Sequence, residues 1–177
     1  MELLAGYRPQ ADREAADLAR VRALVQAVDN PWSRANPLHV TASALIVHPP
    51  SRRLLLRWHA RQRAWLQVGG HGDPGETDPL DIALREGAEE TGLTDLRPWP
   101  RDDIVHLVIV PVPAKGDDPH EHADLRFLLA TNEPDSARPE RPDAPLRWLT
   151  FAQARALTGQ DNLRETLTRA ERLMPGA

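Results

Sequence analysis

The chain has no cysteine. That excludes disulfides, thiolate metal sites and a cysteine nucleophile. No stretch approaches the roughly 18 consecutive apolar residues of a membrane-spanning helix. The opening MELLAGYRPQADRE lacks the basic start and apolar middle of a secretory leader, so a cytoplasmic location is the expectation. Positive charge is not in excess either. The formal net charge is −4 and the pI about 6.0, which argues against a dedicated nucleic-acid binder with a basic face. Lysine occurs only at Lys115, so arginine carries nearly all the positive charge. What is present suffices for one core: 177 residues, 41% of them hydrophobic, fit a single globular domain.

Periodicity divides the chain into elements. Leu18, Val21, Val25 and Val28 form one stripe, widened by Leu24, and predict a helix over Asp12 to Val28. Asp29-Asn30-Pro31 stops it. This helix is read as a packing element, on its own domain or across a dimer. From His39 to Val47 the chain is β-branched and apolar, as a buried strand should be. Arg53 to His59 reads as the returning strand, and Trp65 to Val68 as a short one entering the glycine-rich Gly69-Gly70-His71-Gly72. Further strands are predicted at Ile104 to Val112, Asp124 to Ala130 and Leu146 to Leu149, with loops at Pro113 to Pro119 and Pro134 to Pro145. Two helices, Phe151 to Leu157 and Asn162 to Leu173, follow. Helices before, between and after the strands give an α/β/α layered domain with a mixed sheet and an added N-terminal helix.

The chemistry concentrates between Gly69 and Leu93. Asp78 is placed to cap a helix that has Pro79 at its first position, Asp81 in its first turn and Gly92 at its end. On that helix Glu86, Glu89 and Glu90 stand at i, i+3 and i+4, about 5–6 Å apart at Cβ. Three like charges so placed repel, and Gly87 among them costs about 1 kcal/mol relative to alanine. Stability alone does not select this arrangement. Hard cations such as Mg²⁺ or Mn²⁺ do require clustered carboxylates. Arg85, one residue earlier, can pair with a glutamate and fix its rotamer. Leu80, Ala83, Leu84 and Ala88 are small and apolar enough to face a sheet, and the glycines let the backbone approach a ligand.

These residues resemble the Nudix box, G-x5-E-x7-R-E-U-x-E-E-x-G-U, where U is a bulky aliphatic residue. Gly70 and Glu76 match its first part, and Arg85, Glu86, Glu89, Glu90, Gly92 and Leu93 its second. Two positions depart from it. Eight residues rather than seven separate Glu76 from Arg85, for which a local bulge with intact metal geometry is expected. Gly87 stands where the family has a bulky residue, which loses packing or admits a large neighbour from another helix. The resemblance implies a Nudix-type α/β/α sandwich over residues 38–177, with residues 1–37 as a helical extension. It further implies a Mg²⁺-dependent attack of water on a phosphorus of a small nucleotide-like diphosphate, with Mn²⁺ as a substitute ion. Glu86, Glu89, Glu90 and the Gly70 carbonyl would hold the metal, and Arg85 would orient a glutamate. The general base stays open between these glutamates and a later acid. A non-cleaving nucleotide-binding domain is the alternative, although all three glutamates are present. An isomerase on the same fold would need a cysteine. A symmetric homodimer is a reasonable expectation.

Weaker signals lie outside the box. His120, His122 and Asp124 alternate in PHEHADLRF, so an extended chain puts them on one face, with Glu121 on the other. They read as a polar strand edge with solvated histidines, or less simply as an accessory metal or substrate site. Glu140 is a surface glutamate or a late catalytic acid. Trp58 and Trp65 are core aromatics rather than base-stacking ones. Arg57, Arg61 and Arg63 form a solvated basic loop or meet phosphates, and His71 lines the site or caps its loop.

Overall fold

A computed structural model of the chain describes residues 3–112 and 119–176. Lys115 and most of the expected Pro113 to Pro119 loop lie outside the described residues. Two helices come first, α1 (Leu3–Gly6) and α2 (Asp12–Ala27), followed by the strands β1 (Leu38–His48), β2 (Arg53–His59), β3 (Ala64–Leu66) and β4 (Val68–Gly70). Helix α3 (Pro79–Thr91) leads to β5 (Arg97–Pro98), β6 (His106–Val112), β7 (His120–Ala130) and β8 (Leu146–Thr150). Helices α4 (Phe151–Leu157) and α5 (Asp161–Leu173) follow.

The strands form one mixed sheet. Its axis is the parallel pairing of β1 with β7, running from Leu38 opposite Glu121 to Val47 opposite Ala130. On the other side of β1, β2 pairs antiparallel with the last residues and β4 with the middle ones. The segment expected as one strand from Trp65 is therefore two, because it leaves β2 for β1 at Gln67. Strand β8 borders β2, while β6 and β5 share the far side of β7.

Strand alternation sorts side chains into two cores. Ala42, Ala44 and Ile46 of β1, with Leu125, Phe127 and Leu129 of β7, face Leu18 and Val21 of α2 and Ile82 and Ala83 of α3. Leu45, Val47 and Leu128 face Phe151 of α4 and Leu163 and Leu167 of α5. This is the expected α/β/α sandwich, and α2 buries its stripe on its own sheet. Around the β6 edge the two helical layers meet. Glu14 of α2 and Arg169 of α5, 4% and 5% exposed, form a bidentate pair at 2.6 and 3.0 Å. The Tyr7 hydroxyl and the Gln10 N–H also donate to Glu14.

Strand β7 begins at His120, four residues before the expected start, and is paired on both sides through His122. The polar-edge reading of PHEHADLRF is thus wrong, since this is the middle of the sheet. Strand β5 was not foreseen, being two residues without a readable period. Among the described residues no helix is long and apolar enough to cross a membrane.

Candidate active site

Helix α3 starts and stops as its caps dictate. Asp78 Oδ1 accepts from the N–H groups of Leu80 (2.8 Å) and Asp81 (3.3 Å), and Gly92 closes the helix at φ 68°. The helix runs unbroken from Pro79 to Thr91, so the extra residue is taken up in the loop before it. Arg85 still reaches Glu76, with Nε to Oε1 and Nη2 to Oε2 both at 2.9 Å. This bidentate pair holds the Glu76 carboxyl below the usual carboxylate range. The same guanidinium donates to the His71 carbonyl (2.9 Å), to Glu86 (3.2 Å) and to Glu89 (3.1 Å). Arg85 therefore joins the loop after β4 to the acidic face of α3.

Glu86 and Glu90 flank the buried side of the helix, while Glu89 is exposed. A Cβ on Gly70 would stand 2.5 Å from Glu86 Oε1, so only glycine lets the carboxylate lie against this backbone. Gly69 is equally constrained, at φ 144° with Ser43 and the Ala42 carbonyl within 2.6 Å of where a Cβ would be. Its N–H donates to Glu90 Oε2 at 3.2 Å. Burial raises the Glu86 carboxyl above its ordinary value despite Arg85. Burial also pushes Glu90 up to about 7, outweighing Arg57 and the Gly69 N–H, with Glu86 and Glu140 adding repulsion.

Arg57 was read as part of a basic loop, yet it sits inside β2, 7% exposed, with Nη1 3.0 Å from Glu90 Oε1. Its Nη2 lies 3.6 Å from Glu140, and its buried Nε has no hydrogen-bond partner. Glu140 is a half-exposed loop residue, as expected, but the loop docks on α3. The N–H groups of Arg138 and Glu140 donate to the Thr91 and Glu90 carbonyls at the helix end. Arg57 thereby links Glu90 to Glu140, a connection visible only once β2 and this loop are in place. Arg61 and Arg63 are exposed, as the basic-loop reading held. Trp65 packs partly against the second core and meets Trp58 edge-on, with centroids 5.6 Å apart.

Gly87 is buried, and its missing side chain admits Leu96 from the following loop, with Ile46 and Leu129 from the sheet. The large neighbours are real, but none comes from another helix. Of the alternating trio, Asp124 is absorbed by Arg126 Nε (2.8 Å), Ser43 (3.0 Å) and Thr41 (3.2 Å). It does not join the histidines, which instead meet His39 and His71.

Tested against a divalent ion, the acidic helix fits. Its donors are carboxylate oxygens beside a glycine backbone, the chemistry of hard cations. The Gly70 cradle keeps that space open, and Glu90 is short of positive partners.

A mixed sheet between helical layers, with an acidic helix tied by arginine to the loop after β4, defines an α/β/α sandwich. Residues 37–170 match the NUDIX domain, and the chain belongs to the Nudix family. A probable DHNTP pyrophosphohydrolase of Lactococcus lactis subsp. cremoris is 34% identical over 111 residues, 62% of this chain. The match spans 64% of that protein's length. Among solved structures, a C. elegans Ap4A hydrolase binary complex superposes with a TM-score of 0.63 at 22% identity, covering 78% of this chain and 98% of that one. The E. coli dihydroneopterin triphosphate pyrophosphohydrolase gives 0.59 at 20% identity, covering 80% and 97%. These structural likenesses concern the fold.

Proposed function

We propose that the protein is a Mg²⁺-dependent hydrolase, with Mn²⁺ as a working substitute, that cleaves a phosphoanhydride bond by attack of water. The substrate class is a small nucleoside di- or triphosphate or a nucleoside diphosphate conjugate. The observation that carries this reading is the Arg85 clamp, which ties Glu76, Glu86 and Glu89 to the His71 carbonyl just after β4. Glu86, Glu89, Glu90 and the Gly70 carbonyl would hold the metal. The ion, when bound, neutralises the diphosphate and lowers the pKa of a bound water. Arg85 orients the carboxylates, and Glu76 holds Arg85. The general base is drawn from the two acids that share Arg57, Glu90 and Glu140. The similarity to a probable DHNTP pyrophosphohydrolase supports a small polyphosphate over RNA. A homodimer loses one of its grounds, since α2 covers its own sheet.

The test is release of phosphate or pyrophosphate from a panel of nucleotides and conjugates, with Mg²⁺, with Mn²⁺ and with chelator. Cleavage of one class should need metal and should fall about 10²–10³-fold in Glu89→Gln or Glu90→Gln. If nothing on a broad panel is cleaved while the folded protein binds a nucleotide, the reading changes to a binding domain.

A further inference from the structure

On the opposite face of the sheet from α3 lies a second convergence of ligands, made of imidazoles. The β1–β7 register sets His39 across from His122, and strand alternation puts His120 on the same face. His71 arrives from the loop after β4, whose Gly70 pairs with Ala42 of β1. The ring centroids of His39 lie 5.1 Å from His71, 5.4 Å from His120 and 4.9 Å from His122. Those of His71 and His122 are 4.7 Å apart. Ligand nitrogens of His39, His120 and His122 all fall within 4.8 Å of one another, and His71 Nε2 stands 3.0 Å from His39 Nε2.

Hydrogen bonding alone does not satisfy this arrangement. His39 is 1% exposed and its Nδ1 lies 2.9 Å from the Asn36 carbonyl, which can only accept. Nδ1 is therefore the protonated nitrogen of the neutral ring, and the lone pair on Nε2 accepts from His71 Nε2, which leaves His122 as the unsatisfied member. His122 Nε2 is buried with no partner, a costly state for a ring nitrogen. Asp124, the nearest acid along β7, is occupied by Arg126, Thr41 and Ser43. A cleft of about 940 Å³, lined in part by Asn36, Arg61 and Gln62, opens onto the rings.

We propose that His39, His120 and His122, with His71 as the fourth ligand, hold one divalent transition-metal ion of the Zn²⁺ class. Imidazole selects such ions as carboxylates select Mg²⁺. Zinc–nitrogen bonds of about 2.0–2.1 Å set a tetrahedral edge of about 3.4 Å, so the His39–His120–His122 set adjusts toward that spacing while His71 Nε2, 3.0 Å from His39 Nε2, moves slightly away on binding. The Asn36 carbonyl would fix the His39 tautomer, as outer partners of metal-bound histidine do. Such an ion would tie β1 and β7 to the loop after β4, whose His71 carbonyl accepts from Arg85. It would be a cross-link in a chain without disulfides.

The test uses the full chain without a histidine tag, stripped with chelator, carrying Glu86→Gln, Glu89→Gln and Glu90→Gln to silence the oxygen site. Titration with Zn²⁺ should show one equivalent bound, and Co²⁺ should give the visible bands of a four-coordinate nitrogen site. Adding His120→Gln or His122→Gln should weaken Zn²⁺ at least 10–100-fold and remove the Co²⁺ bands. Zn²⁺ should also shift the ring resonances of all four histidines, a readout that needs no variant to fold. If the silenced protein binds no Zn²⁺, or binds it equally with the histidine changes, the proposal fails. None of these readouts depends on hydrolysis, so the outcome is independent of the proposed enzyme activity.

Discussion

Two buried glutamate–arginine pairs in this molecule are in opposite electrostatic conditions. Glu14 receives both arms of Arg169, the Tyr7 hydroxyl and the Gln10 N–H. Burial opposes its charge, but these bonds win and bring the carboxyl down to about 2. Glu90 receives one arm of Arg57 and one backbone N–H, with Glu86 and Glu140 close by, and burial carries it up to about 7. The same two residue types thus make a saturated structural clasp in one place and an under-satisfied group in the other. Burial does not decide which; the number of donors does. An acid left short of donors is one that a metal or a proton can still complete.

The comparison is open to attack first at the clasp. Arg169→Met leaves Glu14 buried without its partner and should cost about 3–5 kcal/mol in urea unfolding. A loss under about 1 kcal/mol would show that the clasp is not saturated as described. Glu90→Gln should do the reverse. In metal-free protein well above pH 7 it should stabilise the fold by about 3–4 kcal/mol, from the rise from 4.5 to about 7 at roughly 1.4 kcal/mol per pKa unit, while removing activity.

The pH dependence separates the two pairs further. Glu14 has a lowered carboxyl, so its stabilisation is present above about 4.5 and is lost as pH falls toward about 2. Glu90 has a raised one, so the folded state keeps a proton that the unfolded chain releases above about 4.5. Its contribution to stability is therefore lost as pH rises toward 7. Melts of the parent and of each glutamine variant across this range, without metal, should show opposite slopes. Parallel slopes would remove the distinction.

Two glycines sharpen the same contrast at smaller scale. Gly70→Ala places a methyl 2.5 Å from Glu86 Oε1 and should weaken Mg²⁺ about 10–100-fold, read by calorimetry. Gly87→Ala places a methyl 3.0 Å from the tip of Leu96 and in ordinary contact, at 3.7 Å, with Ile46 and Leu129. The helix gain of about 1 kcal/mol should leave the melt nearly unchanged. Gly87→Leu overpacks the site and should cost about 1–3 kcal/mol.

The legible parts of the molecule were those with local rules. Asp78, Pro79 and Gly92 mark α3 because capping is decided within a few residues, and the apolar strands show their own periods. Glu86, Glu89 and Glu90 were visible because helical spacing is fixed. What escaped depends on pairings between distant segments. Arg57 is interior only because β8 and the Glu140 loop cover it. His39 and His71 carry no mark in the sequence that joins them to His120 and His122. The β1–β7 register and the β4–β1 pairing do that. The polar start of β7 read as a solvated strand edge because its histidines face a cleft rather than a core.

That register also bears on how the chain acquires its shape. Thr41 and Asp124, 83 residues apart, sit opposite each other in the central ladder. The closure of so long a loop precedes any reward from the parallel contacts, which places this fold among the slower ones. Everything between, including α3 with its crowded glutamates, is made before the sheet that receives it is complete. The proposed imidazole site takes ligands from both β1 and β7, so it forms only once that ladder has closed.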